Sequence, residues 1–187
     1  PIKQFAEKKR IKVFTAEITD SSETIKILNS LKPKIILVCA YGQILNKQIL
    51  EIPKIGCFNL HFSFLPKLRG ASPVQAAISS GLEKTGVCLQ KMVSRLDAGP
   101  AVASSKSIKI KPNETSSTLG NRLAIIGGHL IRDSLPLLLE NHFTKTEQNE
   151  KDATYCKIIK KSEGQIKWGH ESAYEIERKS RAFEPWP

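Results

Sequence analysis

Aromatic residues make up only 6% of the 187 positions, and the chain has a single methionine. A dedicated RNA platform stacks bases on aromatic rings set among basic side chains, and this composition does not supply one. Cysteine is confined to Cys39, Cys57, Cys88 and Cys156, with no Cys-x-x-Cys spacing. That pattern argues against a zinc site or a disulfide scaffold; the first three lie in apolar runs and read as free thiols in a reducing cytoplasm. There is no Gly-x-Gly-x-x-Gly motif, no P-loop and no internal repeat. No apolar run approaches the roughly 18 residues of a membrane span, and the start does not resemble a signal peptide, so the expected location is the cytoplasm. Acidic residues are in deficit: 18 Asp and Glu stand against 29 Lys and Arg, a net charge of +11. Such an excess suits a polyanionic partner, because phosphate contacts dominate nucleic-acid affinity. A Lys-rich, well-solvated surface gives the same count, and only Lys157, Lys160 and Lys161 cluster tightly. With 40% hydrophobic residues, the chain is long enough for one domain and an appendage.

What is present concentrates in the middle of the chain. After the turn-like Pro53-Lys54-Ile55-Gly56, residues 56–61 read as a short buried strand. Side chains alternate across a strand, so Asn59 and His61 share one face and Leu60 takes the other. At the carboxyl edge of a parallel sheet such a pair would face a ligand; the alternative is a polar strand terminus entering a loop. Ser72, Pro73 and Gln75 have the form of a capping box with Pro at the first helical position. Arg69 and Gly70 just before it could meet an anion or a carbonyl oxygen, or simply form a solvated loop. Residues 86–93 alternate like another strand, and Asp97 falls in the turn Ala98-Gly99-Pro100. An Asp is common there for local reasons; beside an imidazole it could orient the ring or move a proton.

Together the Asn-x-His-x-Ser-x-Leu-Pro run from Asn59, the Pro-x-x-Arg-Gly-x-x-Pro run from Pro66 and the Leu96-Asp97-Ala98-Gly99 turn resemble the folate-dependent formyltransferases. The resemblance is strongest to the branch acting on methionyl initiator tRNA. Ala40-Tyr41-Gly42-Gln43-Ile44-Leu45 and Arg181-Ala182-Phe183-Glu184-Pro185-Trp186-Pro187 extend it along nearly the whole chain. It implies a Rossmann-like α/β domain, a mostly parallel sheet flanked by helices. It also implies 10-formyltetrahydrofolate as co-substrate, no metal, and Asn59, His61 and Asp97 as the catalytic group. Gln43, Ile44, Leu45, Ser63, Leu65, Pro66, Met92 and Leu96 would receive the folate, while Arg69 and Gly70 would face the tRNA. A monomer is expected. Rivals are a formyltransferase acting on glycinamide ribotide or an amino sugar nucleotide, a formyl-folate hydrolase, and a non-enzymatic RNA-binding module. The Arg69 to Pro73 run weighs against the glycinamide enzyme, and the Arg181 to Pro187 run weighs against both small-amine enzymes.

Phe62 stands where that family carries a small residue or Pro, and Phe64 where it carries Leu. Phe62 is expected to narrow the pocket beside His61, so that Phe62→Gly leaves activity intact or raises it. At the ends, the family has a further strand and helix ahead of this chain and a small tRNA-binding barrel after it. The sequence thus reads as an internal piece, truncated at its amino end, with an unpaired sheet edge and weak or no activity of its own. Residues 1–140 are expected to form an incomplete catalytic domain, residues 141–154 a polar linker, and residues 155–187 the start of a tRNA-binding region.

The remainder reads as scaffold. An extended stretch is expected at residues 11–14. A helix follows, capped by Asp20 with Glu23, its stripe Ile25, Leu28 and Leu31, and then a strand over 34–40. Residues 101–110 read as one strand. Pro112-Asn113 would introduce a long helix with Leu119, Leu123, Ile126 and Leu130 in the core, close packing at Gly127-Gly128, and an end or kink at Pro136. A last helix is expected over 171–182.

Overall fold

A computed structural model of the chain describes residues 2–15 and 21–187. In chain order these form α1 (Ile2–Lys8), α2 (Ser22–Leu31), β1 (Ile35–Cys39), α3 (Lys47–Leu50), β2 (Gly56–His61), β3 (Arg69–Gly70), α4 (Pro73–Ser79), β4 (Lys84–Thr85), β5 (Cys88–Lys91), β6 (Ala101–Ser104), β7 (Ile108–Lys109), α5 (Ser116–Leu139), β8 (Tyr155–Cys156) and α6 (Ala173–Ala182). The central sheet has the order β1-β2-β5-β6, with β1 at its edge among the described residues. β1 runs parallel to β2, but β5 runs antiparallel to both β2 and β6. The expected α/β class, a sheet flanked by helices, is present; the expected mostly parallel pairing is not, and the described sheet is mixed. For β5 and β6 the reason is local: the connection around Asp97 is too short for the crossover that parallel neighbours need, whereas the longer connection from β2 to β5 allows either direction.

The two faces of β2 separate two cores. Phe58 and Leu60 join Val87, Leu89, Ile110, Leu119, Leu123 and Leu138 in the larger one, under α4 and α5; Cys57 joins Leu45 and Ile49 in the smaller. Gly127 lets α5 lie directly on the sheet, since a Cβ there would stand 2.6 Å from Leu60 Cδ2. Gly128 has open space around it, so the close approach belongs to one glycine of the pair. Burial drives the Cys57 thiol pKa up to about 11, partly offset by the charge of Lys91, as fits an inert core thiol.

Several boundaries differ from the sequence reading. Residues 11–15 form no strand. The α2 cap is Ser21, whose side chain accepts from Thr24 N–H; Asp20 lies outside the described residues. Ile25 and Leu28 pack on the smaller core, but Leu31 is exposed. Ser72 is the N-cap of α4, yet its ψ of 51° is far from the extended value that turns a cap side chain over the first turn, and it makes no cap bond. The expected strand over 101–110 is divided because Ser105 exchanges bonds with Val87, and the two halves pair with β5 and β4. α5 begins after Thr115, which forms a capping box with Thr118, and continues three residues past Pro136.

The carboxyl-terminal part is packed onto this frame. α6 lies against α4, and Ala182 is buried in the larger core. Arg181 donates to the Glu114 carbonyl at 3.0 Å, and Ser116 Oγ to the Glu184 carbonyl at 2.6 Å. Phe62 follows the alternation of β2 to the core side and packs against the larger cluster. It is therefore a packing residue, not a wall of the His61 pocket. Phe64 lays its ring over Gly86, where a Cβ would stand 2.1 Å away.

Candidate active site

Asn59 and His61 leave β2 on the same face as Cys57, and register places Gln90 of β5 directly opposite Asn59. Both amides reach Asp97: Asn59 Nδ2 donates to Oδ1 at 3.3 Å and Gln90 Nε2 donates to the same oxygen at 2.6 Å. Oδ2 accepts from the Gly70 backbone N–H at 2.8 Å and lies 3.8 Å from His61 Nδ1. The other ring nitrogen, Nε2, lies 2.8 Å from the Leu68 carbonyl. A carbonyl only accepts, so Nε2 carries a hydrogen and Nδ1 is the nitrogen facing the carboxylate. His61 is buried and Asp97 nearly so, with side-chain exposures of 5% and 11%.

The backbone that makes this possible is special at two points. Asp97 has φ +46°, in the left-handed region that Asp tolerates better than most side chains. Gly70 has φ +116°, and a Cβ there would lie 2.2 Å from the Cys156 carbonyl oxygen. Only glycine lets β3 run this close to β8 while aiming its N–H at Asp97.

The structure brings part of the expected folate set together. Leu45 and Met92 share the smaller apolar cluster with Ile49 and Cys57, adjoining Asn59 along the same face of β2. Gln43 and Ile44 precede α3 in an exposed loop, and Leu96 is exposed at the tip of the Asp97 loop. Ser63 is instead buried, donating to the Lys67 carbonyl at 2.6 Å. Leu65 and Pro66 line a separate open groove with Leu82, Lys84 and Asp152.

Arg69, read as a contact for an anion or the tRNA, is fully buried. Its guanidinium is engaged inside the protein by Gln148, Glu150 and Tyr155. The bond from Arg69 also holds the Glu150 carboxyl below the ordinary Glu range. Lys157, Lys160 and Lys161 do reach the surface. Gln90 and Gln148 are site residues that the motif reading missed. Gln90 could have been found from its register opposite Asn59; Gln148 gave no local signal. Among the described residues, no group of three His, Cys, Asp or Glu could hold a metal ion, and no helix is long and apolar enough to cross a membrane.

Comparison with known proteins follows the same outline. A methionyl-tRNA formyltransferase of Methylacidiphilum infernorum is 43% identical over 187 residues, covering 100% of this chain and 58% of that protein. One from Legionella pneumophila is 40% identical, with 100% and 59% covered. The chain thus spans under two thirds of the length of these relatives. Among solved structures, a sugar 3N-formyl transferase crystallised with dTDP and 5-N-formyl-THF superposes with a TM-score of 0.76 at 21% identity, covering 97% of this chain and 62% of that one. An N-formyltransferase of Helicobacter canadensis, in complex with folinic acid and dTDP-3-aminofucose, gives 0.73 at 22% identity, with 96% and 62% covered. Residues 158–187 match the formyl transferase C-terminal domain. Residues 1–135 match the formyl transferase family model, and the chain belongs to that family.

Proposed function

We propose that the protein transfers a formyl group from 10-formyltetrahydrofolate to the α-amino group of methionyl initiator tRNA. The observation that carries this reading is the convergence of Asn59 and His61 on Asp97, which lies 38 positions beyond Asn59. The names of the relatives above support the tRNA as acceptor, and the folates in the solved relatives support the donor.

In this mechanism the amine nitrogen attacks the formyl carbon, and the carbonyl electron pair moves onto the formyl oxygen. Asn59 Nδ2 has two hydrogens and uses one on Asp97; the other is the donor for that oxyanion, an effect of about 3 kcal/mol for a positioned group. Protonated His61 adds positive charge beside it. Asp97 takes the proton released by the amine and returns it to N10 as the C–N10 bond breaks, so that formyl amide and tetrahydrofolate leave with protons balanced. The apolar surface of Leu45 and Met92 offers the pterin a floor. Direct attack requires no covalent enzyme intermediate.

The test supplies full-length protein and 10-formyltetrahydrofolate with charged initiator tRNA, glycinamide ribotide, an amino sugar nucleotide, or water alone. Transfer to the tRNA alone is expected. Transfer to a sugar nucleotide, or hydrolysis without acceptor, would reassign the substrate.

A further inference from the structure

Arg69 is the largest fully buried side chain among the described residues. A buried guanidinium is costly unless every donor is paired, and here all five N–H groups are. Nε donates to Gln148 Oε1 at 3.0 Å, and Nη2 to Gln148 Oε1 at 2.8 Å and Glu150 Oε1 at 2.9 Å. Nη1 donates to Glu150 Oε2 at 3.1 Å and Tyr155 Oη at 3.2 Å. Apolar packing could hold two segments together equally well. Direction is what the polar network adds. With its Oε1 fixed by two N–H groups, the amide of Gln148 points its nitrogen into the site loop. There Nε2 donates to the Asp97 carbonyl at 2.9 Å and the Gly99 carbonyl at 2.6 Å. Glu150 adds a second hold on that loop through Arg95, at 2.7 Å. The neighbouring chain is anchored too, since Thr146 and Ala101 exchange both backbone bonds.

We propose that Gln148, held in direction by Arg69, is a positioning residue for Asp97 in formyl transfer. Its hydrogen bonds to the Asp97 turn go to main-chain carbonyls, so it acts through Asp97. Asp97 holds a left-handed φ, and the turn is held in register by two carbonyls bonded to one amide. That register keeps Oδ1 on Asn59 and Gln90 and keeps Oδ2 between Gly70 N–H and His61. The inference rests on the proposed role of Asp97.

The experiment compares parent, Gln148→Leu and Gln148→Glu proteins. Leu removes the amide at similar size; Glu keeps an acceptor for Arg69 but turns an oxygen toward the two carbonyls. Two readouts are taken: amide exchange of Gly70, whose N–H reports Asp97 Oδ2 without need of activity, and the pH profile of kcat with KM for 10-formyltetrahydrofolate. In both variants Gly70 exchange is expected to quicken about tenfold or more. The value of kcat should fall about tenfold or more, by a larger factor than KM rises, and the pH profile should move. Unchanged Gly70 exchange, or a kcat and pH profile like the parent's, overturns the proposal. An Asp97→Asn protein separates the two levels. If it keeps full activity, the reading of Asp97 has failed, and Gly70 exchange still decides whether Gln148 holds the turn.

Discussion

Beyond Cys57, which packs into the smaller apolar core, the two faces of β2 are built from opposite materials. Phe58 and Leu60 look into a closed apolar core and meet neighbours from α4, α5 and β5. Asn59 and His61, one residue out of step, look at Asp97, Gln90 and the β3 backbone. A core side chain is held by many weak, undirected contacts, so shape matters and direction matters little. A site side chain is held by a few directed bonds, so one missing partner changes its orientation while leaving the fold in place. The difference predicts that substitutions on one face act on stability and those on the other act on chemistry.

The largest effect should come from Asp97→Ala, or from His61→Ala: formyl transfer by the full-length protein falls to background in a single-turnover assay, while the unfolding transition is retained. Activity within about tenfold of the parent, roughly 1.4 kcal/mol, would break the division at its chemical end. Next comes Phe58→Ala, which removes a fully buried ring that packs edge-on against Phe143 at 5.5 Å. Its expected cost is about 3–5 kcal/mol in urea unfolding, with little change in kcat for the molecules that remain folded. Gly127→Ala should be milder, about 1–3 kcal/mol, because the added methyl meets the end of the buried Leu60 side chain, which has to shift to admit it. The smallest effect is a pH dependence at the Arg69 network. Glu150 has its pKa lowered in the fold, chiefly by its bond from Arg69. In the acid range the unfolded chain then binds more protons, so this contribution is complete above the ordinary Glu value and is lost as pH falls through the lowered one. Urea midpoints taken down the acid range should fall less steeply in a Glu150→Gln variant; an unaltered acid limb would remove Glu150 from the account.

Legibility in the sequence followed the distance over which each decision is made. The strand over 56–61 was read to the residue, because a turn, an apolar run and a period of two all lie within it. The long helix, its core stripe and the close approach at Gly127 were legible for the same reason. Side-chain alternation placed Asn59 and His61 on one face, while Asp97 was joined to them only by the resemblance to the folate-dependent formyltransferases, since by itself it read as a turn residue. The direction of β5 was not legible, since alternation is the same in parallel and antiparallel strands. The polar composition of residues 141–154 suggested a linker. In the fold, Gln148 and Glu150 from that stretch are bonded to Arg69, 79 and 81 positions away.

By itself, the sequence determined the elements on which Asn59, His61 and Asp97 sit, because periodicity and turns are properties of neighbouring residues; the resemblance, not local pattern, joined the three into one site. Tertiary structure alone decided how Asp97 is held and what Arg69 does. Whether a guanidinium in a loop faces an anion or is buried depends on partners far along the chain. Here Gln148, Glu150 and Tyr155 occupy all five of its donors and turn an apparent ligand contact into the support of the site loop.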